Sequence, residues 1–449
     1  MKHSSFITTM IALSLSGSIS VNAQKQPNTK FEPLVAVAAD SSGYEKFRFG
    51  GYGEMIASFK DYGINRFAGT SNGSSKTHRN AISIPRFVVA FDYKFNSKWI
   101  LGAEIEFESG GTGSAIELEN SENGEYETEI EKGGEVALEQ FHVTRLIIPQ
   151  FNVRVGHMIV PIGLTNAHHE PINFFGTVRP QAETSLLPST WHETGIQLFG
   201  SLGKRFSRVD YQFMIVAGLN ANGFNRDEWI AGGKQGFFEQ DNFTSPAYVG
   251  RIDYSGVPGL RTGVSFYYCR DAGSNSDKEH TYASIGKIPV AIGTWDAQYR
   301  NNYVTARANI TYGYLGNSAA LSEANRLLSN KSPYSRLIPI AKNALSYGGE
   351  IGVNVKTIIK RNCPVIYPFA RYEYYNPQYR GQGHATMDRR LEVSQWQAGV
   401  NWFALPNLVI KADYTTRQIG TSKVFGKGIY NSENEVSIGL AYIGWFIKK

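Results

Sequence analysis

The chain has 449 residues, a formal net charge of +6 and 42% hydrophobic residues. A charge this small for the length gives no indication of nucleic-acid binding. Beyond its N-terminal stretch, the sequence has no apolar run long enough to form a transmembrane helix. The 46 Gly, 25 Tyr and 26 Phe, which occur without helical periodicity, favour a protein of many β-strands.

The N-terminus has the features of an export signal. Lys2 and His3 precede an uncharged apolar stretch, and the small residues of a cleavage site end at Ala23. These features predict a signal peptide over residues 1–23 and a mature chain that begins at Gln24. The alternative is a buried N-terminal helix of a soluble protein.

The next segment differs from the rest of the chain. Residues 24–46 lack alternation, which predicts a periplasmic tail before a membrane domain over residues 47–449. Cys269 and Cys363 are almost a hundred residues apart. Two cysteines do not make a disulfide framework, so we interpret both as incidental.

Alternation of apolar and polar residues with a period of two recurs from residue 47 to the end. In residues 99–108, for example, Leu101 and Ile105 fall on one face while Glu104 and Glu106 fall on the other. Such alternation predicts β-strands with one apolar and one polar face. The predicted strands are 47–58, 82–95, 99–108, 136–147, 151–160, 192–203, 208–218, 246–254, 260–270, 288–299, 303–314, 346–358, 365–375, 391–403, 408–418 and 434–446.

The connections between these strands decide between a soluble sandwich and a membrane barrel. Long and short gaps alternate strictly along the chain, as in an antiparallel barrel with long outer loops and short periplasmic turns. A sandwich has no reason to sort its loops in this way. The sequence therefore predicts an all-β transmembrane barrel of about sixteen antiparallel strands in the cell outer membrane.

Three of the predicted long loops carry distinctive sequences. Residues 109–135 contain eight Glu and one Lys, and residues 315–345 have apolar residues at helical spacing that predict a short helix. Residues 163–191 contain Pro171, Pro180 and Pro188 among large apolar residues. A loop this apolar is unsuited to water, so we expect this third long loop to fold into the barrel and narrow the pore.

Four short stretches resemble the phosphate-selective porin O/P family. They are residues 49–52 (FGGY), 137–141 (ALEQF), 154–164 (RVGHMIVPIGL) and 193–200 (ETGIQLFG). The resemblance implies a sixteen-stranded homotrimeric barrel whose third loop forms the constriction, with lumen arginines and lysines that guide anions. The Lys and Glu positions of the family motif are occupied here by Ile159-Val160 and Thr165. This departure points to a weak preference for anions rather than tight phosphate binding.

The phase of the strands predicts which basic side chains face the lumen. We expect five of them to line the pore: Arg154, Arg251, Arg307, Arg371 and Lys411. Arginine suits oxyanions and stays charged at any working pH. The strand phase turns as many acidic side chains inward as basic ones in total, and this balance limits the expected preference for anions.

No nucleophile elbow, phosphate-binding glycine loop or zinc-protease motif occurs in the sequence. The run His168-His169-Glu170 is the one candidate for a metal site, but adjacent histidines point apart and no third ligand is evident nearby. We therefore expect no enzyme activity, no cofactor and no metal.

The expected function is passive diffusion of small hydrophilic solutes, with membrane lipid, small solutes or anions as partners. The alternatives are a surface interaction through the acidic loop and a barrel enzyme without a recognisable motif.

Overall fold

The computed structural model describes residues 46–61, 78–120, 126–188, 190–235, 241–276, 279–327, 339–359, 363–383, 387–420 and 431–448. The predicted signal peptide and nearly all of the predicted periplasmic tail lie outside these residues, so both remain predictions. No helix among the described residues is long and apolar enough to cross a membrane.

Sixteen strands form the described structure. They are β1 (Phe47–Asp61), β2 (His78–Lys94), β3 (Trp99–Asn120), β4 (Tyr126–Ile148), β5 (Phe151–Ile159), β6 (His192–Leu202), β7 (Val209–Val216), β8 (Ala247–Tyr254), β9 (Leu260–Cys269), β10 (Val290–Arg300), β11 (Val304–Leu315), β12 (Asn343–Val353), β13 (Val365–Arg380), β14 (Val393–Leu405), β15 (Leu408–Ile419) and β16 (Asn431–Lys448). Four short helices lie in the connections: α1 (Gln181–Thr184), α2 (Glu279–Ala283), α3 (Ser318–Leu327) and α4 (Val355–Ile359). The short helix predicted in the loop 315–345 is confirmed by α3.

Every strand pairs antiparallel with its neighbours in sequence, and β1 pairs with β16 to close the barrel. Closure removes both sheet edges, so every strand has a partner on each side. The predicted fold class, strand number and closure are confirmed. The long connections lie at one end of the barrel, which we call the loop end, and the short ones at the turn end.

The predicted boundaries are wrong between β3 and β4, at the end of β12, and at the end of β13, which continues from the predicted residue 375 to Arg380. The acidic segment 109–135 is not mainly a loop, because β3 continues to Asn120 and β4 begins at Tyr126. Apolar residues and Glu still alternate around Ile116 and Leu118, and the high charge hid this strand pattern. The predicted strand 346–358 ends at Val353, because the chain turns into α4 before β13.

Side chains alternate between the inside and the outside of the wall. In β8, Arg251 and Asp253 are buried, whereas Tyr248 and Ile252 are 44% and 55% exposed. The outward apolar residues form the surface that a transmembrane barrel presents to lipid. A polar interior and an apolar exterior place this chain in the outer membrane.

An apolar core fills part of the barrel interior at the loop end. It includes Trp191 from the third long connection, Trp229 from the fourth, Tyr282 from the fifth and Leu321 from the sixth. The indole of Trp229 donates a hydrogen bond to the carbonyl oxygen of Ala341 at 3.0 Å. Four consecutive long connections therefore fold together, whereas the sequence predicted inward folding for the third alone.

Candidate functional site

The third long connection, which we call L3, runs between β5 and β6. Its described residues, 160–188 and 190–191, lie inside the barrel, which confirms the predicted inward fold. Pro161 follows β5 and cannot continue its hydrogen-bond ladder, because proline has no N–H. Gly163 then adopts a φ of +76°, a conformation that glycine tolerates best. A side chain at this position would also collide with the carboxylate of Glu183.

Glu183 is the internal anchor of L3. Its carboxylate accepts hydrogen bonds from the backbone N–H groups of Leu164 at 2.8 Å, Thr165 at 3.1 Å and Asn166 at 2.7 Å. It also accepts one from the side-chain amide of Asn309 in β11, at 3.1 Å. Burial raises the pKa of the Glu183 carboxyl, and the three backbone N–H groups oppose that rise. One side chain thus joins the two ends of L3 and ties both to the wall.

A second anchor is the carboxylate of Glu350 in β12. Arg307 from β11 and Arg371 from β13 both donate to this carboxylate, Arg307 Nε at 2.7 Å and Arg371 Nη2 at 2.7 Å. The backbone N–H of Phe175 in L3 lies 3.3 Å from the same group. Arg371 also donates to the carbonyl oxygen of Val178 at 3.1 Å. Both arginines therefore offset the charge of Glu350, and Arg371 also binds L3 directly.

Lys411 in β15 holds the tip of L3 through backbone carbonyl groups. Its ammonium group donates to the carbonyl oxygens of Phe174 at 2.8 Å and Gly176 at 2.9 Å, and also to that of Pro171. Next to it, the backbone N–H of Thr177 donates to Asp413 at 2.7 Å. These bonds supply partners for the buried backbone N–H and C=O groups of a segment that has no secondary structure of its own.

The opposite parts of the wall hold L3 in the same way. Arg251 in β8 donates to the carbonyl oxygen of Gly163 at 2.9 Å and pairs with Asp253 and Asp296, each at 2.8 Å. Arg86 in β2 donates to the carbonyl oxygen of His169 at 3.1 Å. L3 is therefore fixed to strands on several sides of the lumen rather than to one side alone.

One polar gap separates L3 from the wall. Its charged lining consists of Arg179 from L3, Arg371 from β13, Asp413 and Arg417 from β15, and Glu435 from β16. Three guanidinium groups thus face two carboxylates. Arg417 pairs with Glu435 at 2.9 Å. This gap is the candidate constriction.

The five arginine and lysine residues predicted to line the pore lie in different surroundings. Arg251, Arg371 and Lys411 donate to L3, whereas Arg307 reaches it only through Glu350, and of the five only Arg371 lines the gap. Arg154 lies nearer the turn end, where its Nε donates to Thr144 at 3.0 Å and its guanidinium lies over the ring of Phe199. Whether these residues line the conducting path stays a prediction.

Glu183 was not predicted to anchor L3. Its position as an acidic residue within an apolar loop is the feature of the sequence that could have indicated this role. Residues 168–170 were considered together as a candidate metal site, but the structure places their three side chains in different surroundings. His168 contacts Arg261 in β9, and Glu170 accepts a hydrogen bond from Asn173 at 2.6 Å. The imidazole of His169 instead lies 2.9 Å from the hydroxyl of Tyr52 in β1.

Comparison with known proteins supports the fold. No family model matches the chain. It is 23% identical over 350 residues to an uncharacterised protein of Aquifex aeolicus, covering 76% of this chain and 72% of that one. Among solved structures it resembles OmpF of Salmonella typhi, determined in complex with daunomycin, with a TM-score of 0.53 and 10% identity over 89% of this chain and 98% of that one.

It also resembles the outer-membrane channel DcaP of Acinetobacter baumannii, with a TM-score of 0.51 and 10% identity over 89% of this chain and 97% of that one. At this identity the likeness shows the fold alone, a barrel of the general porin type. The resemblance to phosphate-selective porins is not confirmed by these comparisons.

Proposed function

We propose that this protein is a passive outer-membrane channel for small hydrophilic solutes and has no enzyme activity. The observation that carries the proposal is L3, which buried charged groups fix inside a closed sixteen-stranded barrel beside a polar gap. A barrel of this size is too wide for its wall side chains alone to fill. A loop held across the lumen therefore sets the width and the charge of the path.

We further propose a weak preference for anions, with phosphate as one anion to test. The support is the excess of one guanidinium group over the carboxylates that line the gap. Most of these charges are paired, so the field on a passing solute is small. The resemblance to phosphate-selective porins also implies a homotrimer, and we propose that assembly for this chain.

Purified full-length protein should form stepwise ion-conducting channels in a planar lipid bilayer, because a polar gap remains beside L3. Single-channel recording at low protein concentration measures this directly, with heat-unfolded protein as the control. A folded barrel that never conducts would contradict the channel and favour a surface role for the acidic β3–β4 hairpin.

The reversal potential in a KCl gradient should show weak anion selectivity, and Arg179→Gln should reduce it. This change leaves two guanidinium groups against two carboxylates in the gap. The matched control is Arg208→Gln, which removes the same charge from an exposed position beside the β6–β7 turn. A cation-selective parent, or equal shifts in both variants, would show that the gap does not set selectivity.

A further inference from the structure

Three side chains from three segments meet inside the barrel near β1. Glu104 comes from β3, Glu139 from β4 and His169 from L3, and all three are buried. One carboxylate oxygen of each glutamate and one imidazole nitrogen lie within 4.8 Å of one another. Small side-chain movements would bring ligand atoms this close together onto one cation.

An irregularity in the wall brings Glu139 to this cluster. Glu104 pairs with Gln140, but the next residue of β3, Ile105, pairs with Leu138. Glu139 is therefore the extra residue of a β-bulge, and its side chain is buried inside the barrel beside that of Gln140. Without the bulge, strict alternation would put Glu139 on the lipid face.

The imidazole of His169 presents an acceptor to the two carboxylates. Its Nδ1 lies 3.1 Å from the carbonyl oxygen of Asn166, which can only accept, so Nδ1 carries the proton. Nε2 then offers a lone pair towards Glu139, whose Oε1 is 3.7 Å away. A histidine that binds a metal is usually oriented in this way, by a hydrogen bond from its other ring nitrogen.

Among the described residues, two neutral side chains donate to this cluster, and the first is Gln140, which donates to a Glu104 oxygen. The Tyr52 hydroxyl lies 2.9 Å from His169 Nε2 and 3.1 Å from a Glu139 oxygen, but it has one proton to donate. Among the described residues, the other Glu139 oxygen has no hydrogen-bond partner, although the side chain is 0% exposed. Arg86, the neighbouring cation, pairs with Glu54 at 3.0 Å and lies 3.9 Å from a Glu106 oxygen. A buried carboxylate oxygen without a donor points to a missing cation.

We propose that Glu104, Glu139 and His169 bind a divalent transition metal of the Zn²⁺ type, which fastens L3 to β3 and β4. Zn²⁺ accepts a mixed set of imidazole nitrogen and carboxylate oxygen ligands. Ca²⁺ and Mg²⁺ take oxygen ligands, so they do not use the imidazole. The ion supplies the positive charge that the facing acceptors require.

Zinc binding to the full-length barrel in detergent tests this site. Protein without a histidine tag is stripped with EDTA and dialysed against Zn²⁺, and the bound metal is counted by mass spectrometry. The parent should bind one equivalent more than Glu139→Gln or His169→Gln. The affinity at this site should fall by more than about 100-fold, because loss of an outer-shell partner alone typically costs about 10–100-fold.

His168→Gln is the matched control, because it removes the neighbouring histidine of the same loop and should keep the extra equivalent. Migration of unheated samples on a denaturing gel verifies that each barrel is folded. Equal zinc binding by the parent and His169→Gln would overturn the site. So would a parent that binds no Zn²⁺, which would mean that protons alone neutralise the cluster. Displacement of Zn²⁺ by equimolar Ca²⁺ would overturn the assignment to a transition metal.

Discussion

Replacing Glu183 by alanine should raise the single-channel conductance well above that of the parent. The substitution removes the acceptor of three buried backbone N–H groups, and each unsatisfied group costs about 1–3 kcal/mol. Those groups regain partners only if L3 leaves its place and water enters the lumen. We therefore expect wider and noisier channels, measured as single-channel currents in planar bilayers.

The controls for this experiment separate the loss of the anchor from a general effect of mutation. Glu183→Gln keeps one carbonyl acceptor and should have a smaller effect. Glu323→Ala removes an exposed glutamate of α3 that pairs with Arg326, and its conductance should match that of the parent. A folded Glu183→Ala barrel with the parent's conductance would show that L3 does not set the width of the path.

Replacing Glu350 by alanine should lower the stability of the barrel by about 3–5 kcal/mol, the usual result of removing one partner from a buried ion pair. Glu350 lies between Arg307 and Arg371, and all three are less than 10% exposed. Its loss leaves two adjacent guanidinium groups without their carboxylate. Urea titration of the barrel in lipid vesicles, followed by tryptophan fluorescence, measures the change.

Making Glu350→Ala in a variant that lacks both arginines tests whether unpaired guanidinium groups cause the loss of stability. When Arg307 and Arg371 are both changed to Met, Glu350→Ala should cost much less, because no buried cation is left unpaired. An equal loss of stability in both backgrounds would mean that Glu350 acts through packing or through Phe175 rather than through the arginines.

The barrel can be predicted from local patterns in the amino-acid sequence. Alternation with a period of two shows directly which residues share a face, and connection lengths reflect the two ends of a barrel. These local signals predicted about sixteen strands and a closed barrel, and the apolar, proline-rich sequence of residues 163–191 predicted that L3 lies inside it. Some strand boundaries were predicted less well. Many charged residues obscured the alternation around Ile116, and the chain leaves the sheet early, at Val353.

The pairing of the charged side chains depends on the folded structure and could not be predicted from local patterns. Arg251 and Lys411 face inward as predicted, yet each donates to L3 rather than lining the polar gap. Arg307 also faces inward, where it pairs with Glu350 and does not line the gap. Strand phase gives the direction of a side chain but not the position of a loop that crosses the lumen.

The cluster of Glu104, Glu139 and His169 also depends on the tertiary fold. Glu104 and Glu139 are distant from His169 in sequence, and a β-bulge alone turns Glu139 inward. Such contacts depend on closing the barrel and folding L3 through it. No local pattern of residues encodes them, because they form between segments that only the closed fold brings together.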